Sequence, residues 1–184
     1  MDCLPPALPE GRSNVRKYSI IYADPPWQYQ QKGVEGTAEK IYPTMALEDL
    51  CKLPNALQLI QVWGFRYKNT AFLWLKQNKS GRGWYFGLGF WTRGNAEICL
   101  LAAKGHPKRK SKRIHQFIIS PLREHSRKPD ETREKIVELM GDLPRIELFV
   151  RQKTGGWDTW GNEIVCDICL SDYAESAGGD VDVG

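Results

Sequence analysis

Tyr18-Ser19-Ile20-Ile21-Tyr22-Ala23-Asp24-Pro25-Pro26-Trp27 is the stretch whose reading decides the fold. Its first half is short, apolar and rich in β-type residues, and it stops at an acid followed by two prolines that cannot continue a ladder. That pattern predicts a buried parallel strand running into a loop. The prolines stiffen the loop and hold the Pro25 carbonyl outward beside a carboxylate and an indole face. A planar group with an exocyclic amine, such as adenine or cytosine, can donate its two N–H bonds to the Asp24 carboxylate and the Pro25 carbonyl. It can stack on Trp27 at the same time, for about 1–3 kcal/mol per stacked base. Accepting both hydrogens pushes the nitrogen toward a tetrahedral geometry with an available lone pair. The same four residues also read as an ordinary turn closing a strand.

Outward from this strand, the first 16 residues carry three prolines and little apolar content, and predict a loose arm. Thr44 followed by Leu47-Glu48-Asp49-Leu50 predicts a short helix over about 45–52, ended by Pro54. Ala56 to Trp63 has helical spacing stopped by Gly64, and Thr70 to Leu75 reads as a strand. Asn78 to Gly94 is a glycine- and aromatic-rich loop, Ala96 to Ala103 a strand, and Gln116 to Ser120 another. Pro129-Asp130-Glu131 opens the clearest helix, which Gly141 stops, and Arg145 to Val150 is the last predicted strand. Strands alternating with helices imply an α/β sheet covered by helices on both faces, with ligands at the carboxyl ends of strands.

The chain has 184 residues, 41% hydrophobic and 26% charged, which excludes collagen-like, coiled-coil and wholly disordered classes. The longest apolar run, Ile98 to Ala103, is six residues, far short of a membrane span. Charge is uneven: from Ile164 on there are five acids and no Lys or Arg, so residues 1–163 hold a balance of +9. A basic body attracts a polyanion. Five scattered cysteines suit a reducing, cytoplasmic compartment. Cys166-x-x-Cys169 lacks two further ligands nearby, and no metal site is expected.

Ile21 to Trp27 resembles the signature of the adenine-N6 methyltransferases, the family of the messenger-RNA adenosine methyltransferase and of many phage and prophage DNA adenine methyltransferases. So do Tyr42-Pro43-Thr44-Met45, Trp63-Gly64-Phe65, Trp74-Leu75-Lys76, Glu124 to Glu131, Ile146-Glu147-Leu148-Phe149 and Trp160-Gly161-Asn162-Glu163. The resemblance runs from about Lys17 to Glu163 and is closest to the phage branch. It implies an α/β, Rossmann-like three-layer methyltransferase fold with permuted motif order over 17–163; residues 164–184 read, from their charge, as an acidic flexible tail. The resemblance also implies S-adenosylmethionine as methyl donor and nucleic acid, DNA in particular, as partner. On the family pattern Asp24, Pro25, Pro26 and Trp27 hold the adenine. Lys128, Arg151, Asn162 and Glu163 match positions that contact the cofactor, and Tyr42 and Lys76 match blocks on the substrate side.

The interval between Pro54 and Trp63 is too short for the strand and helix start that the family pattern has there, which predicts a sheet lacking one central strand. Either Thr70 to Leu75 or Ala96 to Ala103 slides in beside the Asp24 strand, or the chain folds poorly. Val150 stands where the family has a small residue, and its branched side chain is expected to crowd the cofactor. From Lys104 to Arg113 six of ten residues are basic. Lys108, Arg109, Lys110, Lys112 and Arg113 are read as phosphate contacts, against the plain alternative of a solvated loop. The aromatics Trp84, Tyr85, Phe86 and Trp91, beside Arg82, are read as partly buried, either in the core or in a flap over a flipped base. The rival to an enzyme is a catalytically silent nucleic-acid-binding domain or partner subunit.

Overall fold

The apolar run before Asp24 forms strand β1, Ile20–Ala23, in a computed structural model that describes residues 16–25, 56–89, 91–124, 127–170 and 173. The arm up to residue 15, the helix expected over 45–52, Pro26, Trp27 and Tyr42 lie outside the described residues. The chain then runs through α1 (Ala56–Val62), β2 (Arg66–Gln77), β3 (Ala96–Ala103), β4 (Phe117–Pro121), α2 (Asp130–Met140), β5 (Arg145–Leu148) and β6 (Asp158–Trp160). Six strands and two helices among the described residues, with parallel ladders in both sheets, fit an α/β fold.

The chain divides into two compact units, one of residues 1–50 and 143–184, the other of residues 51–142. In the first unit, β1, β5 and β6 form a three-stranded sheet in the order β1-β5-β6. Both pairings are parallel, with Ala23 opposite Leu148 and Leu148 opposite Trp160. Ile20 and Ile146 are buried, but Ile21 is 42% exposed, so β1 is not the fully buried strand that its apolar run predicts. β6 escaped the sequence reading because three residues are too few to carry a period. An added clasp closes this unit. Arg16 and the Tyr18 hydroxyl both bond Asp158, at 2.8 and 2.6 Å, and the Tyr173 hydroxyl donates to the Arg16 carbonyl at 2.8 Å.

In the second unit the sheet order is β3-β2-β4, with β2 antiparallel to β3 and parallel to β4. Phe72, Trp74 and Ile118 form its core, with Ile136 of α2 packed against them. Alternation along the strands sends Leu73, Ile98, Phe117 and Ile119 to the other face, where Ile98, Phe117 and Ile119 stay more than half exposed. Among the described residues, the expected helix cover is therefore not met on this face of the sheet. Neither Thr70 to Leu75 nor Ala96 to Ala103 slides in beside β1, whose ladder partner among the described residues is β5. The reason is local: β2 and β3 follow one another along the chain and satisfy each other's backbone groups as an antiparallel pair.

Candidate active site

Because β1, β5 and β6 are parallel and in level register, their carboxyl ends stop together. At a strand spacing of about 4.8 Å, Asp24, Phe149 and Gly161 stand side by side along one edge about 10 Å long. Asp24 and Asn162 thus share an edge of the first unit. Asp24 is exposed and Pro25, which follows it, is buried, so the chain anchors the proline and presents the acid.

Three backbone features shape this edge. Phe149 has φ of 65°, the left-handed region, which is costly for a bulky residue by roughly 1–2 kcal/mol. Its ring meets Trp160 edge-on, with centroids 5.4 Å apart. The turn at Phe149 brings Val150 back against the end of β6, where its N–H donates to the Trp160 carbonyl at 3.2 Å. Gly161 is required there, since a Cβ on it would lie 1.9 Å from the Val150 carbonyl oxygen. Val150 itself is buried, and its backbone rather than its side chain makes the tight contact. Strain of this kind collects at binding sites, where surrounding structure must hold it.

The polar groups follow from that frame. Arg151, one residue past Val150, pairs with Glu163 at 3.5 Å, and Asn162 and Glu163 are exposed just beyond β6. The loop carrying them is closed by Asp167, whose carboxylate accepts the Thr159 N–H at 2.9 Å and the Thr159 hydroxyl at 2.7 Å, and which also pairs with Lys153. Burial pushes the Asp167 carboxyl up, but Lys153 and Thr159 outweigh it and hold it below the usual carboxylate range. The Cys166 thiol donates to the Gly161 carbonyl at 3.3 Å, a further tie on the same loop.

In the second unit, Lys76 and Lys128 grip the two oxygens of Glu97, with Lys128 at 2.6 Å. Both lysines are largely sheltered, at 13% and 20% side-chain exposure, so this is no solvent pair. Burial alone raises the Glu97 carboxyl; the Lys128 and Lys76 ammoniums overcome that and leave it lowered. The sequence reading singled out both lysines and missed the acid between them. The available signal was one acid inside the otherwise apolar run Ala96 to Ala103.

Lys108, Arg109, Lys110, Lys112 and Arg113 are all exposed. Their loop is tethered nonetheless: the Lys110 and Ser111 N–H groups donate to the Leu139 carbonyl at 2.7 and 3.3 Å, capping the carboxyl end of α2. Cations favour that end of a helix dipole. In the Asn78 to Gly94 loop the expected partial burial fails for most aromatics, since Trp84, Phe86 and Trp91 are 56%, 73% and 99% exposed. Among the described residues no cluster of three or more His, Cys, Asp or Glu could hold a metal ion, and no helix is long and apolar enough to cross a membrane.

A family model described as MT-A70 matches residues 52–163, a range that takes in Lys76, Glu97, Lys128, Arg151, Asn162 and Glu163 but not Asp24. The Type II methyltransferase M.MunI of a Mycoplasma species is 29% identical over 191 residues, covering 81% of this chain and 78% of that protein. The N(6)-adenosine-methyltransferase MT-A70-like protein of Arabidopsis thaliana is 28% identical, covering 80% of this chain and 24% of the relative. The human N(6)-adenosine-methyltransferase catalytic subunit METTL3 is 27% identical, covering 83% of this chain and 29% of the relative. The chain thus spans about a quarter of the length of these eukaryotic relatives.

Proposed function

This chain belongs to the MT-A70 family, and from that premise we propose that it transfers a methyl group from S-adenosylmethionine to the 6-amino nitrogen of adenine in DNA, through a permuted Rossmann-like domain. The observation that carries the reading is the shared edge at which Asp24, Arg151 and Asn162 stand beyond three level parallel strands. Adenine as the target is supported by the relatives named N(6)-adenosine methyltransferases. DNA rests on the likeness of the motif blocks to the phage and prophage branch.

The residues at this edge fit the cofactor chemically. An arginine suits the amino-acid carboxylate, and an amide and a carboxylate suit ribose hydroxyls. When bound, the cofactor supplies an activated methyl on a sulfonium. Arg151, Asn162 and Glu163 would hold and orient it, and the resemblance gives Lys128 the same task. Asp24 and the Pro25 carbonyl accept the two amine hydrogens, Pro26 keeps the loop stiff, and Trp27 stacks on the base. The resemblance assigns Tyr42 and Lys76 to the substrate side, and the exposed basic residues from Lys108 to Arg113 are suited to phosphates. Little acid or base strength would be needed, because holding the nitrogen in line with the methyl carbon would supply most of the rate gain; the S–C bond would break as the N–C bond forms, leaving a neutral thioether, and the amine proton would pass to Asp24 or to solvent.

Cofactor calorimetry followed by tritiated methyl transfer to unmethylated DNA tests this reading. Heat is expected at high micromolar cofactor, and Asp24→Ala is expected to lose at least about a hundredfold in incorporation while keeping cofactor affinity. Equal incorporation by both proteins overturns the role of Asp24. The rival, a silent nucleic-acid-binding domain, is favoured by one observation: β1 has a single ladder partner among the described residues. Nucleic-acid binding with no cofactor heat decides for it.

A further inference from the structure

Between β2 and β3 the chain spends residues 78–95 on a loop that buries little of its aromatic content. Trp91 is 99% exposed, Phe86 73% and Trp84 56%. Each such ring is a large apolar surface left in water, an arrangement that marks an interaction site when several occur together. The loop is also built rather than slack. Gln77 bridges Trp84, and the turn between them is tied by Asn78 N–H to the Gly83 carbonyl at 3.2 Å, Gly81 N–H to the Asn78 carbonyl at 2.8 Å, and Asn78 Nδ2 to the Arg82 carbonyl at 3.0 Å. Farther along, the two limbs cross so closely that a Cβ on Gly87 would lie 2.3 Å from the Gly94 carbonyl oxygen, and one on Gly89 1.9 Å from that of Thr92. The Arg93 guanidinium lies 4.5 Å over the Phe86 ring.

Every charge in this stretch is positive: Lys79, Arg82 and Arg93 occur with no Asp or Glu. Exposed rings flanked on both sides by cations, on a compact unit whose 18 Lys and Arg face 7 Asp and Glu, match one occupant in chemistry. Unpaired nucleobases offer π-faces to the rings and phosphates to the cations; a duplex hides its π-faces in the stack. We infer that the Asn78 to Gly94 loop is a stacking platform for unpaired nucleotides. The nucleic acid is therefore engaged as a single strand or a locally opened duplex, with Trp91 and Trp84 as the main stacking surfaces. This rests on the proposed nucleic-acid substrate and goes beyond it in naming the state of the strand.

The test is fluorescence anisotropy of a labelled 12-nucleotide single strand, the same strand in duplex, and an abasic strand of equal charge, all without cofactor. Wild type is expected to bind the single strand at least about tenfold tighter than the duplex or the abasic strand. Trp91→Ala and Trp84→Ala are each expected to weaken single-strand binding by about tenfold and to leave duplex binding unchanged. Because both rings are exposed, thermal unfolding of the variants should match wild type, which separates lost stacking from lost folding. Equal affinity for normal and abasic strands, or variants that bind like wild type, overturns the inference. So does self-association by sedimentation velocity that Trp91→Ala abolishes while nucleic-acid binding stays intact, since the loop then serves a second copy. As no cofactor is present, a protein that stacks single strands yet transfers no methyl upholds this inference while the methyl-transfer reading fails.

Discussion

Glu97 binds Lys76 and Lys128 at once, so removing its charge leaves two sheltered ammoniums facing each other. Glu97→Gln is expected to destabilise the fold near neutral pH, and its pH dependence identifies the cause. Because the folded carboxyl is held below its ordinary value, its contribution is fully present above the unfolded pKa of about 4.3 and is lost as pH falls through the lower folded value. The gap in urea midpoint between wild type and Glu97→Gln should therefore be constant from pH 7 to about 5.5 and shrink toward zero in more acid solution. Asp130 and Asp167 are also lowered, by arginines and by Lys153 with Thr159, but they act in both proteins and cancel in the difference. A gap that persists at low pH assigns the effect to packing instead. The lysines were legible because they fall in motif blocks; the acid stood out only as one charge in an apolar run, and its partners, 21 and 31 residues away, were not readable from its neighbours.

At the scale of elements, the edge formed by β1, β5 and β6 depends on two strand ends approaching more closely than side chains allow. Gly161→Ala would place a methyl 1.9 Å from the Val150 carbonyl oxygen, and that atom is backbone, unable to swing aside. The ends of β5 and β6 must then separate, at a cost of about 1–3 kcal/mol by analogy with overpacked cores. The expected result is a lowered urea midpoint and weaker cofactor binding, measured on the same preparation by denaturation and calorimetry. Unchanged stability would mean that the loop from Gly161 to Asp167 relaxes freely despite the Asp167 to Thr159 bonds. Strands β1 to β5 and both described helices were readable from apolar runs, proline stops and acids in a first turn. β6 was not, because its three residues become a strand only through pairing with β5.

Over the molecule as a whole, charge separates by unit. Residues 51–142 hold a balance of +11 and the remaining residues one of −7, from 18 basic against 7 acidic and 8 against 15. Binding of a polyanion should fall to the basic unit and depend steeply on salt. Replacing Lys108, Arg109 and Lys110 together by Ala is expected to flatten the plot of log affinity against log salt by about 2, at roughly 0.7 per phosphate contact on a single strand. The Trp91→Ala variant should leave that slope as it is. A slope that the triple variant does not change removes the basic loop from the nucleic-acid surface.

Composition and order of residues by themselves determined strands β1 to β5 and both described helices, that an acid and two prolines follow the first strand, and that the body of the chain is basic, because each of these is written in neighbours a few positions apart. Tertiary structure alone decided that the described strands pair as two three-stranded sheets, that Glu97 sits between two lysines, and that Trp84, Phe86 and Trp91 face solvent. Pairing, partnership and exposure depend on residues remote in the chain, and their free energy exists only once those residues meet.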